Sequence, residues 1–307
     1  MDARDLIRCK GVCKSWKSLI SEDRFIKTQL DHSITTHRNN NGIGHRRITI
    51  SLLPDGFTSW KGAVFCNLLG SSNGLVCIYA SRSQILVANP CTREVKIVTQ
   101  IRDFGIRYGS ICYGFGYDES IDDYKVVVGV RKGVDRTCFN VLYLKSNVWK
   151  VVGEVENTYV SGVGILCNGA LHWVINQASP IIVSFDLTQE VVKEIPQPDD
   201  VLYRSTRIRG PDMILGIIEE CLCIYHNALI PRKIWMMKKY NVKESWGIVE
   251  ESHECELNRE ILRFFRQLKN GIPFERSEDC NILFFRTREF ISSPIFVQSL
   301  LSPHGRP

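Results

Sequence analysis

The chain has 307 residues, of which 44% are hydrophobic and 23% are charged, values typical of a globular protein and not of a disordered one. No apolar run reaches the roughly 18 residues that a membrane-spanning helix needs, and the charged start of the chain does not resemble a secretory signal. The formal net charge is +6, but lysine and arginine are scattered along the chain and form no basic stripe. We therefore expect neither membrane insertion nor nucleic-acid binding.

Twelve cysteines are too few per residue for a disulfide scaffold. Several of them, among them Cys77, Cys112 and Cys223, stand between apolar residues, which is typical of buried free thiols in a reducing compartment. This usage predicts a cytoplasmic or nuclear location, or both. No two cysteine pairs have the spacing of a zinc site, so we expect no metal. We also expect no other cofactor.

Residues 1–31 have the apolar spacing of helices. The members of this stripe, at intervals of three and four residues, are Leu6, Cys9, Cys13, Trp16 and Ile20. Such a stripe predicts amphipathic helices, and Gly11 is expected to divide the run in two. Ser21 and the charged residues after it predict the start of a further helix. The polar, Asn-rich segment 32–45 predicts a linker.

From residue 46 to residue 303 the pattern changes to short apolar strands separated by polar turns. A unit of about 50 residues with four strands recurs, as in kelch-like propeller blades. The hairpins that end its four clear copies span residues 85–98, 140–152, 182–195 and 234–249. Residues 47–53, 282–285 and 294–301 would supply a partial closing blade. The pattern thus predicts a mainly β, kelch-like β-propeller behind a short helical region; the alternative is an irregular β-sandwich or an unclosed stack of hairpins.

Six motifs follow one another along this region: residues 70–77 (GSSNGLVC), 89–92 (NPCT), 113–118 (YGFGYD), 122–127 (DDYKVV), 168–173 (NGALHW) and 184–187 (SFDL). In this order they resemble the F-box-associated domain of plant F-box proteins. The helical region resembles the second half of an F-box, in residues 6–8 (LIR), 12–20 (VCKSWKSLI) and 24–26 (RFI). The resemblance implies domains at 1–31 (partial F-box), 32–45 (linker) and 46–303 (propeller).

The resemblance also implies a function. F-box proteins of this kind dock on the Skp adaptor of a Skp–cullin–F-box (SCF) ubiquitin ligase and hold a protein substrate with their second domain, without catalysing ubiquitin transfer themselves. On this hypothesis the helical stripe contacts the adaptor. Its predicted contact residues are Leu6, Ile7, Val12, Cys13, Trp16, Leu19 and Ile20.

The sequence departs from the F-box pattern because the leading helix of that module is absent, so we expect weakened adaptor binding. In a second hypothesis the protein binds partners through the propeller and no longer engages the adaptor. A propeller enzyme is the third hypothesis. Gly114-Phe115-Gly116 lacks the third glycine of a dinucleotide fingerprint, and no nucleophile elbow occurs, so we predict no catalytic residue.

In a four-stranded blade, loops 2–3 and 4–1 emerge on one side of the ring and loops 1–2 and 3–4 on the other. Sorting the charges in this way predicts a basic side that binds an acidic segment of an unknown protein substrate. Its members are Arg102, Arg107, Arg131, Lys132, Arg136, Arg204, Arg207, Arg209, Arg232 and Lys233. The other side collects acidic residues; ordinary solvated loop charge is the alternative interpretation.

Overall fold

The architecture is taken from a computed structural model. It describes residues 3–39, 67–80, 84–100, 111–133, 136–156, 160–175, 180–204, 213–218, 220–226, 233–250 and 299–304. Of the segments predicted to close the ring, 47–53, 282–285 and 294–298 lie outside the described residues.

Three helices form the N-terminal region: α1 (Ala3–Cys9), α2 (Lys14–Ser21) and α3 (Asp23–Asn39). The break predicted at Gly11 is confirmed, because Gly11 lies in the turn between α1 and α2. Cys13 caps α2, its Sγ accepting a hydrogen bond from the backbone N–H of Trp16 at 3.5 Å. Asp23 opens α3 with a carboxylate in the first turn, where the helix dipole favours negative charge.

Residues 32–39 of the predicted linker are helical, because α3 continues to Asn39. These polar residues are compatible with a helix because one of its sides faces solvent. The Thr35 hydroxyl donates to the carbonyl of Asp31 at 2.8 Å, and Gln29 donates to Ser33 at 2.8 Å. Composition alone did not separate a solvated helix from a loop.

The described residues of the β region form four consecutive sheets, each with four antiparallel strands, here called blades 1 to 4. Blade 1 consists of β1 (Asn67–Ser72), β2 (Leu75–Ala80), β3 (Gln84–Asn89) and β4 (Glu94–Gln100). Blade 2 consists of β5 (Ile111–Asp118), β6 (Asp123–Lys132), β7 (Arg136–Tyr143) and β8 (Val148–Val155), to which β9 (Gly162–Val163) is added in parallel with β5.

Blade 3 consists of β10 (Ile165–Cys167), β11 (Ala170–Ile175), β12 (Ile181–Asp186) and β13 (Val192–Glu194). Blade 4 consists of β14 (Met213–Ile218), β15 (Cys221–His226), β16 (Lys233–Met237) and β17 (Trp246–Glu250). In every blade the strands pair in chain order. The predicted repeat of four strands is therefore confirmed, and the domain is a β-propeller.

Blades 2 and 3 each pack one face against the blade before and the other against the blade after. In β6, Val126 and Val128 belong to the cluster shared with blade 1, whereas Val127 belongs to the cluster shared with blade 3. Successive side chains of a strand point to opposite faces, so a strand between two blades is apolar at nearly every position. This explains the unbroken apolar runs of the sequence.

The turns after the first and third strands of each blade lie on one side of the propeller, here called the short-turn side. Among the described residues, eight non-glycine residues have positive φ, one in each of these turns. They are Asn73, Arg93, Asp122, Asn147, Asn168, Glu190, Glu220 and Asn241. Asn and Asp tolerate this backbone region better than other non-glycine residues, and they occupy five of the eight positions.

Glycines allow the blades to approach closely. A Cβ on Gly114 would lie 2.5 Å from a methyl carbon of Leu171 in blade 3, and one on Gly164 would lie 2.6 Å from ring atoms of Trp173. Trp173 is 2% exposed and is enclosed by the cluster between blades 2 and 3, so its ring has little room to move.

We predict that Gly164→Ala lowers the free energy of unfolding by about 1–3 kcal/mol, because the new methyl group overpacks a closed interface. The matched control is Gly153→Ala in β8, where a Cβ meets no atom within 4 Å. Urea unfolding followed by tryptophan fluorescence measures both variants. Equal stability of the two would contradict the packing described at Gly164.

Candidate functional site

The first candidate surface is the solvent-facing side of α2. Val12 is 68% exposed, Trp16 47% and Leu19 51%. Trp16 and Leu19 lie on α2 and Val12 lies in the turn before it. Three large apolar side chains exposed so close together in the chain are of the kind that marks a protein-binding site. Lys14 and Lys17 are exposed beside them and give the rim a positive charge. We call Val12, Trp16 and Leu19 the α2 patch.

The structure divides the predicted adaptor-contact stripe in two. Cys13 is exposed together with the α2 patch. Leu6 and Ile20, in contrast, are 7% and 3% exposed and pack in a cluster with Cys91 and Leu300 of the same chain; Ile7 is half-buried against that cluster. Leu6 and Ile20 are therefore less accessible to a partner than the exposed members of the stripe, and adaptor contact by the seven residues stays a prediction.

The second candidate surface is the predicted basic side of the propeller. Lys132 and Arg136 share one carboxylate, with their nitrogens 2.6 and 3.6 Å from Glu154. Arg204 lies 2.6 Å from Asp199, and Arg131 donates to the carbonyl of Gly133. Lys233 opens β16. Arg102, Arg107, Arg207, Arg209 and Arg232 lie outside the described residues.

The division into a basic and an acidic side is too simple for the described part of the propeller. On the basic side, Glu154 pairs with Lys132 and Arg136, and Asp199 pairs with Arg204. On the short-turn side, Asp122 accepts ion pairs from Lys145 at 3.1 Å and Lys27 at 3.5 Å. Nearby charges of opposite sign weaken the field that a remote partner experiences. Binding of an acidic segment to the basic side stays a prediction.

Blades 2 and 3 are joined by a buried ion cluster at the short-turn side. Lys125 is 2% exposed, and its Nζ lies 2.8 Å from Asp118, 2.9 Å from Glu190 and 2.5 Å from the carbonyl oxygen of Leu187. Asp118 belongs to blade 2, whereas Leu187 and Glu190 belong to the third turn of blade 3. The ammonium group thus makes three hydrogen bonds, the number that it can donate.

The acids of this cluster have further donors. Glu190 accepts from the Tyr143 hydroxyl and from Lys150 at 2.7 Å, and Asp118 accepts from Ser120 at 2.6 Å and Thr188 at 3.1 Å. Burial raises the pKa of Glu190, but the hydrogen bonds from Lys150, Tyr143 and Lys125 outweigh it and lower this pKa to about 2. Burial also opposes ionisation of Lys125, yet its acidic partners keep its pKa above the usual value.

Polar contacts join the neighbouring blades at the same side. Lys96 of blade 1 donates to the carbonyl of Leu144 in blade 2 at 2.5 Å. His172 of blade 3 lies 2.8 Å from the Tyr240 hydroxyl of blade 4, and its Nδ1 lies 3.2 Å from the Ile165 carbonyl. Because a carbonyl only accepts, Nδ1 carries the proton and Nε2 accepts from Tyr240. Burial lowers the pKa of His172 to about 4, so the ring is neutral at pH 7.

The described residues offer little to the enzyme hypothesis. A cleft of about 390 Å³ in blade 4 is lined by Lys238, Lys239, Val242, Glu244, Ser245, Trp246 and Gly247. The Ser245 hydroxyl donates to backbone carbonyls of its own turn, and no histidine lines the cleft to act as its base.

In the described ranges, no cluster of three or more His, Cys, Asp or Glu is arranged to hold a metal ion. Within those ranges, no helix combines the length and apolar content required to cross a bilayer.

Comparison with protein families assigns both regions. Residues 46–282 match the F-box associated beta propeller domain, and residues 1–28 match the F-box domain. The chain belongs to the F-box associated beta propeller family. The resemblance to plant F-box proteins is thereby confirmed.

Curated relatives agree with this family. The F-box protein CPR1 of Arabidopsis thaliana is 29% identical over 292 residues, covering 80% of this chain and 68% of that protein. The F-box/kelch-repeat protein At3g23880 of Arabidopsis thaliana is 25% identical over 282 residues, covering 80% of this chain and 74% of that protein. Among solved structures, TolB from Acinetobacter baumannii aligns over 70% of this chain and 45% of its own at 11% identity; its TM-score of 0.33 supports no argument.

Three of the motifs that carry the F-box-associated resemblance contribute residues to the buried ion cluster. Asp118 ends the YGFGYD motif, Lys125 lies in DDYKVV, and Leu187 ends SFDL. The sequence pattern placed Asp118 only on the acidic side of the ring and did not predict the contact of these residues with one another. The available signal was a lysine directly before the apolar run Val126–Val130, since a charge in a buried strand requires a partner.

We predict that Lys125→Met destabilises the F-box-associated domain by about 3–5 kcal/mol, because it leaves two buried carboxylates without their shared cation. Lys145→Met is the matched control, since it breaks an ion pair that is 49% and 41% exposed and worth about 0–1 kcal/mol. Thermal and urea unfolding measure both. If the two variants differ by less than the experimental error, the cluster does not hold the blades together.

The cluster also predicts a dependence of stability on pH. The pKa of Glu190 is about 2 in the folded protein against an ordinary value of 4.5, so folding favours the ionised form. The contribution of ionised Glu190 to the stability of the folded protein is complete above about pH 4.5 and is lost as the pH falls towards 2. Urea unfolding at pH 7, 4.5 and 3 should show this loss in the wild type and a smaller loss in Glu190→Gln. Equal pH dependence of the two proteins would contradict the assignment.

Proposed function

We propose that this F-box protein is a substrate-recognition subunit of an SCF ubiquitin ligase, in which the N-terminal helices bind the Skp adaptor and the propeller binds a target protein. The α2 patch is the observation that carries the proposal. Its three apolar side chains face solvent. They lie in the region that matches the F-box domain, so the patch is where an adaptor contact is expected.

The surface around the patch favours an acidic partner. Lys14 and Lys17 flank Trp16 in the sequence and are exposed, and charges at the rim of an interface speed association more than they add affinity. Cys13 completes the surface at the start of α2. Val12, Cys13, Trp16 and Leu19 are therefore the adaptor contacts that we retain.

On this proposal the propeller binds its target without chemistry of its own, and ubiquitin transfer is left to the other subunits. The basic side, with Arg131 and Lys132 among its described members, is the surface that we propose for an acidic segment of the target. Loops on that side are free to vary without disturbing the packing between blades.

A second candidate is a partner-binding propeller protein that does not engage the adaptor. The burial of Leu6 and Ile20 against Cys91 and Leu300 favours it, because this removes two side chains from the predicted contact surface. The two candidates differ in one measurable property, the affinity for the adaptor.

We predict that the full chain binds a purified plant Skp adaptor with micromolar or tighter affinity, about −8 kcal/mol or better. Trp16→Ala should weaken binding at least tenfold, since a large aromatic residue at the centre of an interface often dominates its energy. Val151→Ala in β8 is the matched control, because Val151 is 65% exposed but far from α2 in the chain. Isothermal titration calorimetry measures all three proteins.

The outcomes separate the candidates. Binding that Trp16→Ala weakens and Val151→Ala does not alter supports the receptor. No binding by the folded wild type, with binding restored when the leading helix of a complete F-box is fused before residue 1, would favour the second candidate. Equal weakening by both substitutions would place the adaptor contact away from α2.

A further inference from the structure

The segment Ser299–His304 lies between the helices and blade 1. We call it the strap. Asn89, at the end of β3, is fully buried, and its side-chain nitrogen donates to the carbonyl oxygens of Ser299 at 3.0 Å and Leu301 at 2.7 Å. One side chain of blade 1 thus binds two carbonyls of a segment 210 residues away along the chain.

The side-chain oxygen of Asn89 makes a second set of hydrogen bonds, within blade 1 itself. Asn89 Oδ1 accepts from the backbone N–H of Cys91 at 2.8 Å and Thr92 at 3.4 Å, which shapes the turn after β3. Asp186, at the equivalent position of blade 3, makes the same two contacts, to the N–H groups of Thr188 and Gln189. A carboxylate is therefore sufficient for the turn. Only an amide also supplies the donors that the strap needs.

The strap connects blade 1 to the helices through Leu300. This side chain is 3% exposed and packs in the cluster that contains Ala3 and Leu6 of α1, Ile20 of α2 and Cys91 of blade 1. The next contact along the strap is His304, whose Nε2 lies 3.1 Å from the carbonyl of Val95 in β4. Leu300 therefore lies where the helices and the propeller meet.

An ion pair also links the helices to blade 2. Lys27 of α3 lies 3.5 Å from Asp122, but the two side chains are 57% and 41% exposed. An exposed pair of this kind contributes little to a fixed geometry. The buried contacts of Leu300 and Asn89 are the stronger restraint, because a buried hydrogen-bonded amide and a filled apolar cluster are both costly to disrupt.

We propose that the strap fixes the helices on the propeller, with Asn89 and Leu300 as positioning residues. It sets the orientation of the α2 patch relative to the domain that binds the target. The consequence for ligase geometry rests on the receptor role proposed above, whereas the docking itself does not. The strap would thus determine the orientation of the F-box region relative to the propeller.

A zero-length carbodiimide cross-link tests this docking on the full chain alone. The reagent activates a carboxylate, and a neighbouring lysine then displaces the activating group to form an amide, with net loss of one water. Asp122 has two such neighbours, Lys27 at 3.5 Å in α3 and Lys145 at 3.1 Å within blade 2. Mass spectrometry of the digested protein gives the ratio of the Lys27 product to the Lys145 product.

We predict that Asn89→Asp lowers this ratio at least fivefold, because the turn keeps its acceptor while the strap meets a negative charge. Leu300→Ala should lower it as well, by removing the side chain that joins the strap to the helices. The matched control is Asp186→Asn, the reverse exchange at the equivalent position of blade 3, which should leave the ratio unchanged. A persisting Lys145 product confirms that blade 2 is folded in each variant.

An unchanged ratio in either Asn89→Asp or Leu300→Ala, with the Lys145 product retained, would overturn the proposal. A fall of the ratio in Asp186→Asn would also overturn it, because the effect would then not belong to the strap. Adaptor affinity of the same variants, measured by calorimetry, distinguishes positioning from folding, since a positioning role changes the cross-link ratio and leaves the affinity of the α2 patch within about twofold. Failure of the receptor proposal would not alter the cross-link result.

Discussion

Burial of the Lys125 ammonium group between two blades is the constraint on which the propeller depends. Removing such a charge from water is costly, and the cost is met only when several acceptors are held in place. Asp118 of blade 2, and Glu190 and the Leu187 carbonyl of blade 3, supply them. Each acceptor lies at a turn of the same side, so the turns must have defined shapes. The regular positive φ residues of those turns are part of the same requirement.

Because these contacts lie on the short-turn side, the turns of that side are held in fixed positions and form the surface on which the helices dock. The α-helices are docked on it, through the cluster of Leu300 and Cys91 and through the pair of Lys27 and Asp122. This leaves the α2 patch facing away from the chain's own core. A receptor of this design would separate its two tasks, with the adaptor contact on a helix fixed to the short-turn side and the target contact on the loops of the other side.

Much of the fold could be predicted from the sequence because strands and hairpin turns are determined by residues close together in the chain. Short apolar runs separated by turns that contain Asn or Asp indicate strands and hairpins without knowledge of the tertiary structure. The sequence did not separate the buried Leu6 and Ile20 from the exposed Trp16 and Leu19, because all four belong to the predicted contact set and the first two are buried by residues distant in the chain, Cys91 and Leu300. Nor did it pair Lys132 with Glu154, which are 22 residues apart. The strap had one readable signal, an Asn at position 89 where the equivalent turn has Asp186.

Hydrogen exchange of the full chain, with and without a purified plant Skp adaptor, tests the central claim most directly. The account predicts that adaptor binding slows amide exchange in the helical region around the α2 patch, residues Val12–Leu19, while the strap and the turns around Lys125 exchange at the same rates in both states. Slower exchange in the propeller turns with none in the helical region would contradict it, because the adaptor would then bind the propeller. Unchanged exchange throughout, at adaptor concentrations above micromolar, would contradict the receptor role itself.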